Sequence, residues 1–116
     1  MENFDLPILK HGYELYKTFC GYRNSVPKLD RHTLWQKCED AILDALEGML
    51  LASQLTKEEK IDSLRQVSVK INLLKIFIRL AKDTKALDLK KYIILEKKID
   101  EIGKMVGGWI RSTKTN

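Results

Sequence analysis

Proline is nearly missing from this chain: its 116 residues include two, Pro7 and Pro27, and only six glycines. So few breakers fit long helices better than sandwiches or disordered tails. The two cysteines, Cys20 and Cys38, are too few for a disulfide framework. Each falls within an apolar helical pattern, where a free thiol packs as a small hydrophobe and the compartment is a reducing one. Histidine is equally scarce, with only His11 and His32. There is no H-E-x-x-H, no cysteine pair at metal spacing and no Gly-rich phosphate loop. His32 with Cys38 or Glu39 falls short of the three or four convergent ligands a metal needs. The sequence therefore points to no catalytic residue, no metal and no cofactor, and the chain is read as a non-enzyme. No apolar run approaches the roughly 18 residues of a membrane span. Met1-Glu2-Asn3-Phe4-Asp5 lacks the basic and apolar regions of a secretory signal, so a cytoplasmic protein without a membrane partner is expected.

What is present is helical patterning and positive charge. At 116 residues the chain has the size of one domain, taken as 1–116. Four amphipathic segments, at about 6–22, 31–54, 57–84 and 89–110, show apolar residues at the three-and-four spacing of one helical face. The first runs through Leu9, Tyr13, Tyr16 and Phe19, and Val26-Pro27 marks the connection after it. The second carries Leu34, Cys38, Ala41 or Ile42, Ala45, Met49 and Ala52, with Glu39, Asp40, Asp44 and Glu47 opposite. Thr56-Lys57-Glu58-Glu59 reads as a capping box, Thr56 accepting from a backbone N–H while Glu59 reaches back. The third helix then bears Leu64, Val67, Ile71, Leu74, Ile78 and Ala81. Asp88 caps the fourth, with Tyr92, Leu95, Ile99, Ile102, Val106 and Trp109 on its face, and Gly107-Gly108 weakens its end. Gly103 and Gly107, four apart, are read either as a close backbone approach or as simple fraying. Short links predict an all-α, antiparallel up-down four-helix bundle.

Beside the core stripe of the third helix lies a second apolar set, Leu73, Phe77 and Leu80, which suggests burial against a neighbouring chain. Trp35, Trp109 and the tyrosines are too scattered for a base-stacking platform, and Tyr16, Tyr92 and Trp109 are assigned to core packing.

Charge is unevenly distributed. Residues 1–56 hold six Lys/Arg against eight Asp/Glu, and residues 57–116 hold fifteen against eight. Arg65, Ser68, Asn72, Lys75, Arg79 and Lys82 share one face of the third helix, with no acid among them. Lys90, Lys97, Lys104 and Arg111 recur every seventh position on the fourth, flanked by Lys91 and Lys98, with Glu101 the main acid nearby. Such rows suit a polyanion, because each cation that neutralises a phosphate releases counterions. Arg65, Arg79 and Arg111 add bidentate phosphate contacts. The competing reading is two solvated faces, partly paired with Asp40, Asp44 and Glu47.

An ordered set of residues also resembles a known family. Leu6-Pro7-Ile8, Val26-Pro27-Lys28, Arg31-His32-Thr33-Leu34, Glu39 followed by Leu43 and Leu46-Glu47, Leu73-Leu74, Arg79-Leu80-Ala81-Lys82-Asp83 and Asp100-Glu101-Ile102-Gly103-Lys104-Met105-Val106-Gly107-Gly108-Trp109 resemble the Avd family. These are the accessory variability determinants of diversity-generating retroelements, similar to four-helix-bundle proteins of ribosomal RNA intervening sequences. His32 and Trp35, either side of Thr33-Leu34, depart from the usual family pattern. The resemblance implies a four-helix bundle assembling into a homopentameric barrel. It further implies partners, a reverse transcriptase and template-repeat RNA, in support of mutagenic cDNA synthesis. RNA is the expected polyanion, with DNA as the other candidate. An intervening-sequence relative and a purely protein-binding helical adaptor are the alternatives.

Overall fold

A computed structural model describes residues 6–115; residues 1–5, read above for a secretory signal, lie outside the described residues. Four long helices dominate: α1 (Pro7–Gly21), α3 (Leu34–Ala52), α4 (Lys57–Asp83) and α5 (Leu89–Thr115). A 3-10 turn (Arg23–Ser25) and one short helix, α2 (Lys28–Arg31), connect α1 to α3. Among the described residues there is no strand.

Local chemistry sets most of the ends. Pro7 sits in the first turn of α1, where its missing N–H costs nothing. Asp88 caps α5 as the sequence predicts, its Oδ1 accepting the Lys91 N–H at 2.8 Å. The box at the start of α4 closes differently: the Thr56 hydroxyl donates to Glu59 Oε1 at 2.7 Å and makes no bond to the backbone. The segment expected as one helix over 31–54 is broken at His32 and Thr33. Thr33 has φ −120° and ψ −101°, outside the helical region. Its hydroxyl donates to Leu29 O at 3.2 Å, and Arg31 donates to Val26 O at 2.9 Å and Asn24 O at 3.2 Å. These bonds hold the connection as its own unit.

The far end of α5 also departs from expectation. Gly107 and Gly108 do not end it near 110, and the helix runs on to Thr115. Thr113 is buried and its hydroxyl donates to Trp109 O at 2.8 Å, so tertiary packing offsets the weak propensity of the glycines. The fraying read for Gly103 and Gly107 does not occur, since α5 continues through both. A Cβ at Gly103 would meet Lys75 and Ile71 side chains no nearer than 3.5 Å, and one at Gly107 only Arg111, so within the chain no other backbone approaches them.

Side-chain contacts fix the topology. Tyr16 meets Glu39, and Phe19 stacks on Trp35, so α1 and α3 are antiparallel. Asp44 meets Lys70, and Ser63 meets Gly48, which makes α3 and α4 antiparallel. Lys75 with Asp100 and Lys82 with Tyr92 do the same for α4 and α5. Lys91 lies over the Tyr22 ring, while Ile8 shares a cavity with Trp109, which returns α5 to α1. The four long helices thus close a ring, up and down alternately, around one core. The molecule measures 45 × 26 × 22 Å.

On α3, α4 and α5 the core holds residues the periodicity selects: Cys38, Ala41, Ile42, Ala45 and Met49 of α3, Leu64 to Ala81 at heptad spacing on α4, and Tyr92 to Val106 on α5; on α1 Leu9 and Phe19 are buried, whereas Tyr13 and Cys20 are exposed and Tyr16 is half-buried. Trp35, which the sequence reading left out of the core, is among its largest buried side chains, stacked on Phe19 at 3.9 Å between ring centroids.

Candidate nucleic-acid interface

The cationic residues singled out on α4 and α5 do not form one surface. α4 turns Lys75, Arg79 and Lys82 towards α5, and α5 answers with carboxylates. Lys75 Nζ lies 3.3 Å from Asp100 Oδ1. Arg79 shares a cleft of about 150 Å³ with Lys75, Tyr92, Glu96 and Asp100. Lys82 is half-buried, 3.4 Å from Asp83 Oδ1 and over the Tyr92 ring at 4.8 Å. The Tyr92 hydroxyl donates to Glu96, which pushes the phenol pKa up and keeps it protonated. The α4 row is therefore partly neutralised, by Asp100 of α5 across the groove and by Asp83 of α4 itself. Glu96 and Asp100 were missed as its counter-charges; they sit at α5 positions one turn apart, on the edge facing α4, a relation visible only once the helices are docked.

The outer row of α5 is different. Lys90, Lys97, Lys104 and Arg111 are all exposed, and among the described residues none has a carboxylate within ion-pair distance. They span 21 positions, roughly 30 Å of helix at 1.5 Å per residue. Lys98 is half-buried. Lys91 is committed elsewhere: its Nζ is 2.7 Å from Asp88 Oδ2 and lies over the Tyr22 ring at 5.7 Å. The Lys91 side chain and its backbone N–H together hold the Asp88 carboxyl below its usual range. Arg65, on the first half of α4, is exposed and without an ion pair. The pairing of these rows with Asp40, Asp44 and Glu47 does not occur; Asp44 instead meets Lys70, outside both rows, at 3.2 Å.

The second apolar set on α4 is larger than the sequence suggested. Leu73 and Phe77 are half-buried, Leu80 is 44% exposed, and Val69 and Ile76 are each 57% exposed. Val69, Leu73, Ile76 and Leu80 follow each other at spacings of four, three and four, a heptad seam on the side of α4 away from the core. Val69 and Ile76 were overlooked because the same helix carries a longer, better-formed core stripe. Leu73 and Phe77 also line a hollow of about 240 Å³ with Lys37, Asp40, Ala41, Asp44 and Lys70.

A concavity of about 450 Å³ lies at the end of the bundle where α1 and α4 begin, lined by Leu6, Pro7, Ile8, Ser53, Lys60, Met105 and Trp109. Trp109, expected in the core, is only half-buried there, with Lys60 Nζ 5.9 Å from its ring centroid. Among the described residues no three His, Cys, Asp or Glu gather at metal-binding distance, and no helix is long and apolar enough to cross a membrane.

Fold and surface together define a helical-bundle protein with a cationic row along α5 and an exposed apolar seam on α4. A family model described as bAvd-like matches residues 8–113, and the chain belongs to that family. A comparison with curated proteins finds no significant match.

Proposed function

We propose that this chain is the accessory variability determinant of a diversity-generating retroelement. In this reading it binds template-repeat RNA and the element's reverse transcriptase, supports mutagenic cDNA synthesis, and self-assembles as a homopentamer. The observation that carries the RNA part is the row Lys90, Lys97, Lys104 and Arg111, exposed and unpaired, on a chain of the bAvd-like family. A cation already held by a carboxylate must give up that contact to gain a phosphate, so this row contributes more to affinity than Lys75, Lys82 or Lys91. Arg65 and Arg79 add guanidinium contacts at its margin. The α4 seam supplies the self-assembly surface, with Leu73, Phe77 and Leu80 at its centre.

The test compares two charge reversals in an RNA mobility-shift titration. Lys90, Lys97 and Lys104, all changed to Glu, are expected to weaken binding on the order of tenfold or more, because three phosphate contacts are lost and repulsion is added. Lys75→Glu with Lys82→Glu should cost visibly less. Equal losses, or no loss from the α5 variant, would contradict the assignment.

A further inference from the structure

The concavity at the end of the bundle combines an aromatic wall, a cation and a hydrogen-bond acceptor. Its volume of about 450 Å³ falls in the range of small-molecule pockets, roughly 300–1,000 Å³. Ile8, Met105 and the half-buried Trp109 make its apolar wall. Lys60 Nζ stands 5.9 Å from the Trp109 ring centroid and meets no carboxylate within ion-pair distance among the described residues. The Ser53 hydroxyl donates to Leu50 O at 2.6 Å, which leaves its oxygen free to accept. The start of α1 lines the same hollow and holds no acid and no side-chain cap, so the positive end of that helix adds to the field of Lys60. The matching occupant has a planar ring for the indole, an anionic group for the ammonium and an N–H for Ser53. A nucleotide carries all three.

We infer that this hollow holds one unstacked base of a single-stranded RNA whose backbone follows the α5 row. The inference rests on the RNA reading above and adds to it a contact that only a single strand can make. One indole is no platform for successive bases, but it holds one base splayed from its neighbours. The row leads to it, since Arg111, its last member, stands two positions beyond Trp109. At 3.6 residues per turn Gly108 falls between Lys104 and Trp109 around α5, and no side chain blocks the way there. The Arg111 guanidinium borders that gap, 3.8 Å from where a Gly108 Cβ would stand. Bases held in a duplex cannot enter, so the hollow separates single strands from double ones.

Trp109 emission reads the contact, because Trp35 is buried against Phe19. Titrating the full chain with single-stranded oligoadenylate is expected to quench that emission, and the same strand annealed to oligouridylate should leave it unmoved. Free AMP, which has no backbone to engage the α5 row, should need a far higher concentration. In mobility shifts Trp109→Ala should weaken binding of the single strand about tenfold and leave the duplex unchanged, while Trp109→Phe, which keeps a ring, retains most of the affinity. If RNA binds while the emission stays unmoved, the hollow belongs to another occupant and the assignment is wrong. Equal losses for single strand and duplex would make the role of Trp109 structural and overturn it as well. Quenching by AMP at the concentration that suffices for oligoadenylate would break the link to the α5 row. Should Trp109→Ala fail to fold by circular dichroism, Lys60→Gln takes its place, with a several-fold loss expected for the single strand alone; no loss, or an equal loss for the duplex, overturns the proposal. If the unsubstituted chain binds neither RNA, the RNA reading falls with this one. If only the hollow is wrong, the Lys90, Lys97 and Lys104 reversal still weakens both RNAs.

Discussion

Two cysteines of the same type sit in opposite surroundings. Cys20 is exposed, whereas Cys38 is fully buried on α3, and burial pushes its thiol up to about 12. Cys20 should react with a thiol reagent at neutral pH within the dead time of unfolding-independent labelling, and Cys38 only at the rate of unfolding; equal rates would mean that the α3 core is open. The raised value also has a sign. The unfolded thiol ionises near its ordinary value of about 8.5 while the folded one resists, so this contribution to stability is complete below that pH and declines as pH rises towards 12. Lys85 is the other residue under local constraint. It has φ 66°, just after α4 ends at Asp83, in the left-handed region that costs an L-residue on the order of 1 kcal/mol. Its side chain is exposed and engages no carboxylate among the described residues. Lys85→Gly should therefore stabilise the protein by about 1 kcal/mol, read from the midpoint of urea unfolding. An unchanged or lowered midpoint would show that the turn is not strained.

At the scale of the helices, α3 and α4 approach closely at Gly48. A Cβ built at Gly48 would lie 2.5 Å from Val67 Cγ2, and the Ser63 hydroxyl donates to Gly48 O at 3.3 Å. Val67 is buried and β-branched, with little freedom to move aside. Gly48→Ala gains about 1 kcal/mol of helix propensity but forces an overpacked core, at a cost of about 1–3 kcal/mol. Net destabilisation is expected in thermal unfolding, and a raised midpoint would show that α3 and α4 can separate freely. Much of this level is legible in sequence. The core stripes of α3, α4 and α5 follow from spacing alone, and Asp88 caps α5 as its position implies. Other features are not legible because they depend on partners far along the chain. The break at His32 and Thr33 is held by Arg31 reaching back to Val26 and Asn24. The persistence of α5 through Gly107 and Gly108 reflects the burial of Thr113. The same holds for the α4 cations: their row is visible in the sequence, but Asp100 and Glu96 face it only after α5 has docked.

At the scale of the whole molecule, charge and apolar surface are sorted by corner. α3 presents acids with leucines, α4 an aliphatic seam edged by arginines, and α5 a lysine row. That sorting lets one small bundle make a self-contact on one side while a cationic stripe remains free on another. Positive charge is concentrated in the second half of the chain, fifteen Lys/Arg against eight Asp/Glu over residues 57–116, and the fold sets Lys90, Lys97, Lys104 and Arg111 of it, without ion pairs among the described residues, along the outer face of α5. The measurement that tests this account most directly is the dependence of RNA affinity on salt, for the unsubstituted chain and for the variant with Lys90, Lys97 and Lys104 replaced by glutamine. Each contact with single-stranded RNA contributes about 0.7 to the slope of log affinity against log salt, so losing three should flatten it by about 2. A variant that keeps both its affinity and its slope would show that the α5 row does not touch phosphate.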